Sequence, residues 1–438
     1  MISKTDKEGE EMTKGIATVV FSILIWSVTG IALAGTGNND LIMELKNLVE
    51  RQQKQLDAQA SEIARLKEQM AELTGTQAAV SEKLSTADAQ DKKIYVTPGN
   101  KHAEVQLYGH VNRAVLWADD GNSSSAYFVD NLNSQTRMGI RGKVRATDDF
   151  SVGAWIEYGI VSNSSGDVNQ ENELDATSTH FVKRQMDLYL QSIKFGTLSL
   201  GHGSTASDGT AEVDLSGTTV AAYSPVGDMA GGQLFYDTLN NTLSDVPIKS
   251  VYNNMDGLSR RDRLRYNTPD FSGFSVGGSF ASGDAGDLAL RYSRKFSGTK
   301  FAAAAAWANP GDILPTVDNQ YNGSLSALLE NGFNVTLAGG FRKMQEDSRD
   351  DGNFWYAKLG YRSNLFNTGQ SNFSIDYGRS NNLAMNDDEF SSFGIAFVQN
   401  IADWGTELYI AYRWHELDRI DREYDTINAV ISGARVKF

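Results

Sequence analysis

From Glu104 to the C-terminus, apolar and polar residues alternate with a period of two, in segments separated by turn-rich stretches. Clear segments are Val105–Trp117, Gln135–Arg145, Ser151–Ile160, Arg260–Asn267, Phe333–Phe341, Phe373–Arg379 and Glu407–Trp414. The final one, Tyr424–Phe438, reads YDTINAVISGARVKF. Counting back from Phe438, every second residue includes Val436, Ala434 and Val430, and the alternate set includes Lys437, Arg435 and Asp425. Successive strand residues point to opposite faces, and a tilted strand crosses a bilayer in about 10 residues. A strand of a soluble sandwich alternates too, so the argument rests on repetition. About 16 such segments follow one another, an even number as barrels require. The pattern predicts an all-β transmembrane barrel of 16 antiparallel strands over residues 104–438, apolar toward lipid and polar toward the lumen.

The connections alternate in length. Short turns fall at Thr147-Asp148-Asp149, Gly196-Thr197, Pro269–Gly273, Ser297-Gly298-Thr299 and Asn331-Gly332. Longer loops fall at Gly121–Asp130, Asn163–Thr179, Asn309–Asp318, Lys343–Asp351 and Leu383–Asp388. Barrels show this alternation between periplasmic turns and extracellular loops. Trp117, Trp155, Trp307, Trp355, Trp404 and Trp414 lie near segment ends, where an aromatic girdle is expected.

Before residue 104 the period changes. From Asp40 to about Leu73, Ile42, Leu45, Val49, Leu56, Ile63, Leu66, Met70 and Leu73 hold a and d positions of one heptad frame, with Gln52 and Gln59 in the same seam. A narrow a/d stripe with charged flanks predicts a coiled coil over 40–87; the alternative is a lone amphipathic helix lying on the barrel. Asp88–Lys101 is polar, and 88–103 reads as a linker. Ile16–Leu33 is the one helix-length apolar stretch, and it ends in Ala32-Leu33-Ala34. Residues 1–34 therefore read as a signal peptide cut after Ala34, rather than a retained anchor, with Met1 or Met12 as the start. The stalk is then periplasmic.

The chain has 438 residues, no Cys, 41 Gly, 6 Pro and a net charge of −15. A soluble chain this long would normally split into several cores, whereas a barrel can hold water inside. Without Cys there is no lipoprotein anchor, disulfide or thiolate metal site. The five His (His102, His110, His180, His202 and His415) show no HExxH spacing, and no GxSxG elbow occurs. No basic-aromatic patch suggests nucleic acid. The reading is a non-enzyme with no cofactor, metal or nucleic-acid partner.

Charge is arranged for a pore. Arg137, Arg141, Lys143 and Arg145 share one face of a segment whose other face carries Met138, Ile140 and Val144. A charge facing lipid at mid-depth costs a few kcal/mol, so the basic face must line the lumen. Arg261, Arg263 and Arg265 repeat the arrangement. The longest connection, about 204–259, carries Asp208, Glu212, Asp214, Asp228, Asp237, Asp245 and Asp256 against Lys249 alone. Long structureless loops in compact domains are usually functional.

Four blocks, LYGHVNRAVLWADDG (107–121) with VDNLNSQTRMGIRGKV (129–144), FVKRQMDLYLQSIKFGTLSLGHG (181–203) and RLRYNTPDFSGFSVGGSF (263–280), resemble the general trimeric porins of Gram-negative bacteria. The terminal Phe438 resembles the C-terminal assembly signal of outer-membrane barrels. The resemblance implies a homotrimer of 16-stranded barrels in the outer membrane, inserted by the barrel assembly machinery and surrounded by outer-membrane lipid. It implies passive diffusion of small hydrophilic solutes through a constriction formed by an infolding third loop. On it, Asp208, Glu212 and Asp214 stand on the loop, facing Arg137, Arg141, Arg184, Arg263 and Arg265 on the wall. Arg137 matches through its T-R-x-G block and Arg184 through KRQ, whereas strict alternation puts Lys183 in the lumen instead. A family position that is often basic is Asn267 here. The coiled coil resembles that of some coiled-coil-bearing, DcaP-like porins, which implies a substrate-selective alternative. A second alternative is a structural tether to peptidoglycan with incidental conduction. The acidic loop predicts weak cation selectivity.

Overall fold

The computed structural model describes residues 103–438 apart from 175, 176 and 178. The expected signal peptide, the expected coiled coil and all but the last residue of the expected linker lie outside the described residues. Sixteen antiparallel strands close into a barrel: β1 (Ala103–Asp119), β2 in two pieces (Ser124–Asp130 and Arg137–Arg145), β3 (Phe150–Ile160), β4 (Phe181–Ser192), β5 (Gly196–Ser204), β6 (Arg260–Asn267), β7 (Phe274–Ala281), β8 (Ala285–Phe296), β9 (Thr299–Asn309), β10 (Val317–Leu328), β11 (Phe333–Met344), β12 (Gly352–Phe366), β13 (Gly369–Asn381), β14 (Glu389–Ile401), β15 (Thr406–Asp418) and β16 (Ile427–Lys437). Each strand pairs with its neighbours in sequence, and β1 closes the ring on β16, His110 opposite Lys437 and Asp119 opposite Asn428. A closed ring leaves no unpaired edge in the membrane.

Both pieces of β2 pair with β1, the first with Arg113–Asp119 and the second with Ala103–His110. Between them a single 3-10 turn, Leu132–Ser134, is capped by the side chain of Asn131. The expected loop at Gly121–Asp130 therefore shrinks to the turn 120–123, because seven of its residues join the sheet. The turn expected at Gly196-Thr197 lies at 193–195, and Gly196 opens β5.

The outer face is apolar along the whole wall: Leu107, Met138, Ile140, Leu188, Leu200, Leu264, Leu290, Leu337, Ile395 and Ile410 are all exposed. Among the described residues no helix is long and apolar enough to cross a membrane; the strands do so. Trp155 departs from the expected girdle. It alternates with outward Val152 and Ile156, and so points into the lumen.

Phe438 exchanges two backbone hydrogen bonds of 3.0 Å with Gly109. Its ring lies over that glycine, where a Cβ would come within 2.8 Å of the ring. The bare position lets the last residue lie flat on the seam.

The inner face is not polar throughout. Leu116, Tyr127, Val129, Leu417, Ile427 and Ile431 point inward and are buried against Val220, Met229, Phe235, Ile248, Val251 and Tyr252 of the segment 205–259. Arg435 and Lys437 keep the expected polar inward phase on β16, but Ile431, Ala429 and Ile427 do not, and Asp425 precedes the strand. Where the segment covers the wall, inward side chains meet protein instead of water, and burial favours apolar ones.

Candidate functional site: a charged passage beside the infolded segment

The segment 205–259 leaves β5, crosses the lumen and is stitched to the opposite wall. At its start Arg265 donates to the carbonyls of Ser204 (3.0 Å) and Thr205 (2.8 Å), and Arg291 to those of Ala206 (3.1 Å) and Asp208 (2.6 Å). The Ser207 hydroxyl donates to Asp287 at 2.5 Å. Farther on, the backbone N–H groups of Val213 and Leu215 donate to the hydroxyls of Ser324 (2.9 Å) and Ser326 (3.0 Å) on β10. Tyr252 packs between the rings of Phe354 and Phe390. A short hairpin, Leu234–Asp237 with Thr242–Pro247, stiffens the middle.

The strongest attachment is at Lys358 on β12. Its ammonium, fully buried, donates to Asp214 Oδ2 (2.7 Å), the hydroxyls of Ser216 (3.2 Å) and Thr218 (3.0 Å), and the Ala222 carbonyl (2.6 Å). Asp214, expected to face the pore, is thus a latch residue with a buried side chain. The expectation set Asp214 on the loop opposite the wall arginines, whereas its partner is the Lys358 ammonium on β12.

Between the segment and the wall of β2, β4, β6 and β16 a passage of about 770 Å³ remains. Arg137, Arg184, Arg260 and Arg435 line it on the wall side, and Arg342 on β11 reaches it too. Asp208, Glu212, Thr219, Tyr223, Asp228, Lys249 and Asp256 line it from the segment.

Arg184 reaches the lumen through a β-bulge. Glu157 stands opposite Gln185, yet its neighbour Tyr158 stands opposite Lys183, so Arg184 is the extra residue and turns inward together with Gln185. A bulge of this kind breaks alternation locally. Arg184 Nε donates to Glu157 Oε1 at 2.6 Å. Lys183 faces outward, 3.4 Å from Asp262 on the outer surface.

Three other expected wall arginines lie elsewhere. Arg263 is buried against Asp187 at 2.6 Å. Arg265 anchors the start of the segment. Arg141 stacks on Trp155 and Tyr108, away from the passage. In each case an inward phase was read correctly, but the partner that takes up the side chain is remote in sequence.

The carboxylates at the passage are largely spoken for. Asp208 lies 3.6 Å from Arg260. Asp256 accepts from the backbone N–H groups of Gly209 (2.5 Å) and Ala211 (2.8 Å), Glu212 from Asn254 (2.9 Å), and Asp228 from the Tyr223 hydroxyl (2.9 Å). Burial pushes the Asp228 carboxyl up to about 7. Burial, aided by the Asp208 charge, pushes Asp256 up to about 6. Burial and then the Asp256 charge raise Glu212 well above the usual carboxylate range. By contrast, among the described residues Arg137 donates to the Gln135 carbonyl and the Ser134 hydroxyl, and Arg342 to Gln320 and Asn253. Arg260, Arg342 and Arg435 were not singled out from the sequence. For Arg342 and Arg435 the signal was an inward phase, shared by many residues that never reach the passage; Arg260 has the outward phase of Asp262 and Leu264 and lines the passage as the first residue of β6, where the segment joins the strand.

The closed barrel, with its apolar outer band, holds this charged cavity between the segment and the wall; with the family match that follows, it is a membrane channel rather than an enzyme. Residues 85–419 match the family model of the Gram-negative porins. The chain belongs to that family, and with the barrel fold this puts it in the outer membrane. Among solved structures it is similar to an anion-selective porin from Comamonas acidovorans, with TM-score 0.52 and 16% identity over 77% of this chain and 100% of that one. It is also similar to the in-vitro folded OmpT, an outer membrane protein of Vibrio cholerae, with TM-score 0.50 and 12% identity over 80% of this chain and 100% of that one. At these identities the likeness is one of fold. The outer membrane channel DcaP of Acinetobacter baumannii aligns with TM-score 0.48 and 13% identity, over 79% and 100% of the two chains. No curated protein sequence matches the chain.

Proposed function

We propose that the chain is a diffusion porin whose narrowest section is the gap between the segment 205–259 and the wall arginines, admitting ions and small hydrophilic solutes. The observation that carries this is the passage itself, with guanidiniums on one side and carboxylates on the other. Such a transverse field orients water and dipolar solutes in a narrow space. We infer a homotrimer as the working form, since closed symmetry is the default for self-associating chains and the heptad stripe over 40–87 supplies a seam.

The selectivity we infer is opposite to the cation preference expected from the loop's acidic composition. Asp214 is consumed by Lys358 and Asp208 is shared with Arg260, while Asp228, Asp256 and Glu212 hold protons at higher pH than ordinary carboxylates. Among the described residues neither Arg137 nor Arg342 has a carboxylate within ion-pairing distance, so the uncompensated charge is positive. A carboxyl with a raised pKa is neutral below that pKa, so acidification removes negative charge from the passage and leaves the arginines. In planar bilayers, a KCl gradient should give a reversal potential of anion sign, and the anion preference should grow from about pH 8 to about pH 5 as Asp228 and Asp256 protonate. A cation-signed potential throughout, or a shift toward cations on acidification, contradicts this reading. Absence of any conductance contradicts the channel itself.

A further inference from the structure

The basic column on the second piece of β2 continues past the passage toward the end of the barrel that carries the short turns. Below Arg137 it runs through Arg141, Lys143 and Arg145, and Arg145 is the last residue before the turn 146–149. In porin topology this is the periplasmic half of the lumen. Residues two apart on a strand are about 6.5–7 Å apart, so the column is a line of closely spaced cations.

Arg141 is held in place by two rings. Its guanidinium carbon lies 4.0 Å from the Trp155 ring centroid and 4.9 Å from that of Tyr108. Trp155 Nε1 donates to the Tyr108 hydroxyl, which donates to Glu157 Oε2 at 2.7 Å, and Glu157 in turn holds Arg184 at the passage. The rings are thus tied to one another and to the wall. Gly139 gives Tyr108 the room to lie across β2; a Cβ there would strike the phenol. Stacking leaves the edge of a guanidinium, with its N–H fork, free to bind in the plane.

The column lacks partners of opposite charge. Among the described residues, Arg141, Lys143 and Arg145 have no carboxylate within ion-pairing distance. Lys143 donates to neutral Gln191 at 3.1 Å. Across the ladders, Arg141 faces Gln106 and Trp155, Arg145 faces Ser151, and Lys143 alone faces an acid, Glu104, without closing on it. Like charges aligned this way repel, and a small anion bearing more than one charge relieves two of them at once. A guanidinium fork matches the paired oxygens of a phosphoryl group, and the flanking ammonium and guanidinium accommodate the remaining charge.

We propose that Arg141, stacked on Trp155 and Tyr108 and flanked by Lys143 and Arg145, is a binding station for small phosphate-bearing solutes on the periplasmic side of the constriction. The proposal rests on the channel reading and adds a ligand class and a second site to it. The test uses the full-length chain in planar bilayers, with KCl as carrier and pyrophosphate as probe. Pyrophosphate should interrupt the KCl current. Arg141→Gln should raise the half-blocking concentration about tenfold. Trp155→Ala should raise it comparably although it removes no charge, because the fork is no longer held, whereas Arg141→Lys should fall between. Lys183→Gln, on the outer face, should leave the block as it is. The station is overturned if a channel that conducts KCl shows no block. It is also overturned if Arg137→Gln removes the block while Arg141→Gln and Trp155→Ala leave it intact, since the anion then binds only at the passage. A chain that carries no KCl current overturns the channel reading and the station together.

Discussion

Lys358→Met should widen the channel and make its current noisy. The Lys358 ammonium is the common donor to Asp214, Ser216, Thr218 and the Ala222 carbonyl. Its loss leaves a buried carboxylate unpaired. Removing one partner of a buried ion pair costs about 3–5 kcal/mol, more than a lumen segment held by scattered hydroxyl contacts absorbs without moving. The barrel ladders are untouched, so the damage falls on the segment and not on the fold. Single-channel recordings should show higher mean conductance with frequent steps between levels. Asp214→Leu added to Lys358→Met removes the stranded charge and should return most of the quiet behaviour, since an apolar replacement of a buried pair is often neutral. A quiet, wild-type-like current from Lys358→Met alone would mean that the latch does not hold the segment.

Arg184→Ala should change permeation strongly, and Lys183→Ala should not. Arg184 supplies one of the wall charges at the passage, and its loss leaves Glu157 without its 2.6 Å partner. The passage loses a positive charge and gains an exposed negative one, so conductance should rise and the reversal potential should move toward cations. Lys183 points away from the lumen and lies beside Asp262 on the outer face. Measured side by side in a KCl gradient, the reverse outcome, with Lys183→Ala shifting the potential and Arg184→Ala leaving it alone, would refute the inward assignment of Arg184.

This pair of residues also marks the limit of what alternation can reveal. The strand β6 has the bounds that its sequence pattern suggests, Arg260–Asn267, and the long connection begins and ends within a residue of its expected limits. Period-two patterning is local, repeats around the barrel and is enforced by lipid on one side, so it survives in the sequence. A single bulge at Arg184 inverts the pattern for half a strand, and nothing in the local composition announces it. The pairing of Asp214 with Lys358 joins residues 144 positions apart, and it is set by where the segment lands on the far wall. The apolar inward face around Ile427, Ile431 and Leu116 runs against the polar-inward pattern expected of a water-filled barrel, and is intelligible only because the segment covers it. The candidate constriction was therefore legible as a region, between the third long connection and the basic wall. Which carboxylates remain free within it was not.

The central claim is that current flows through the gap beside the segment 205–259. The chain has no Cys, so one introduced thiol reports on one place. Thr219 lines the passage from the segment side, and Leu290 faces lipid on the outer wall. In planar bilayers, a charged, membrane-impermeant thiol reagent should cut the current of Thr219→Cys in discrete steps, one per barrel of the proposed trimer, and leave that of Leu290→Cys and of the unaltered chain unchanged. If Thr219→Cys is shown by mass to be modified and its current does not fall, ions take another route and the account is wrong.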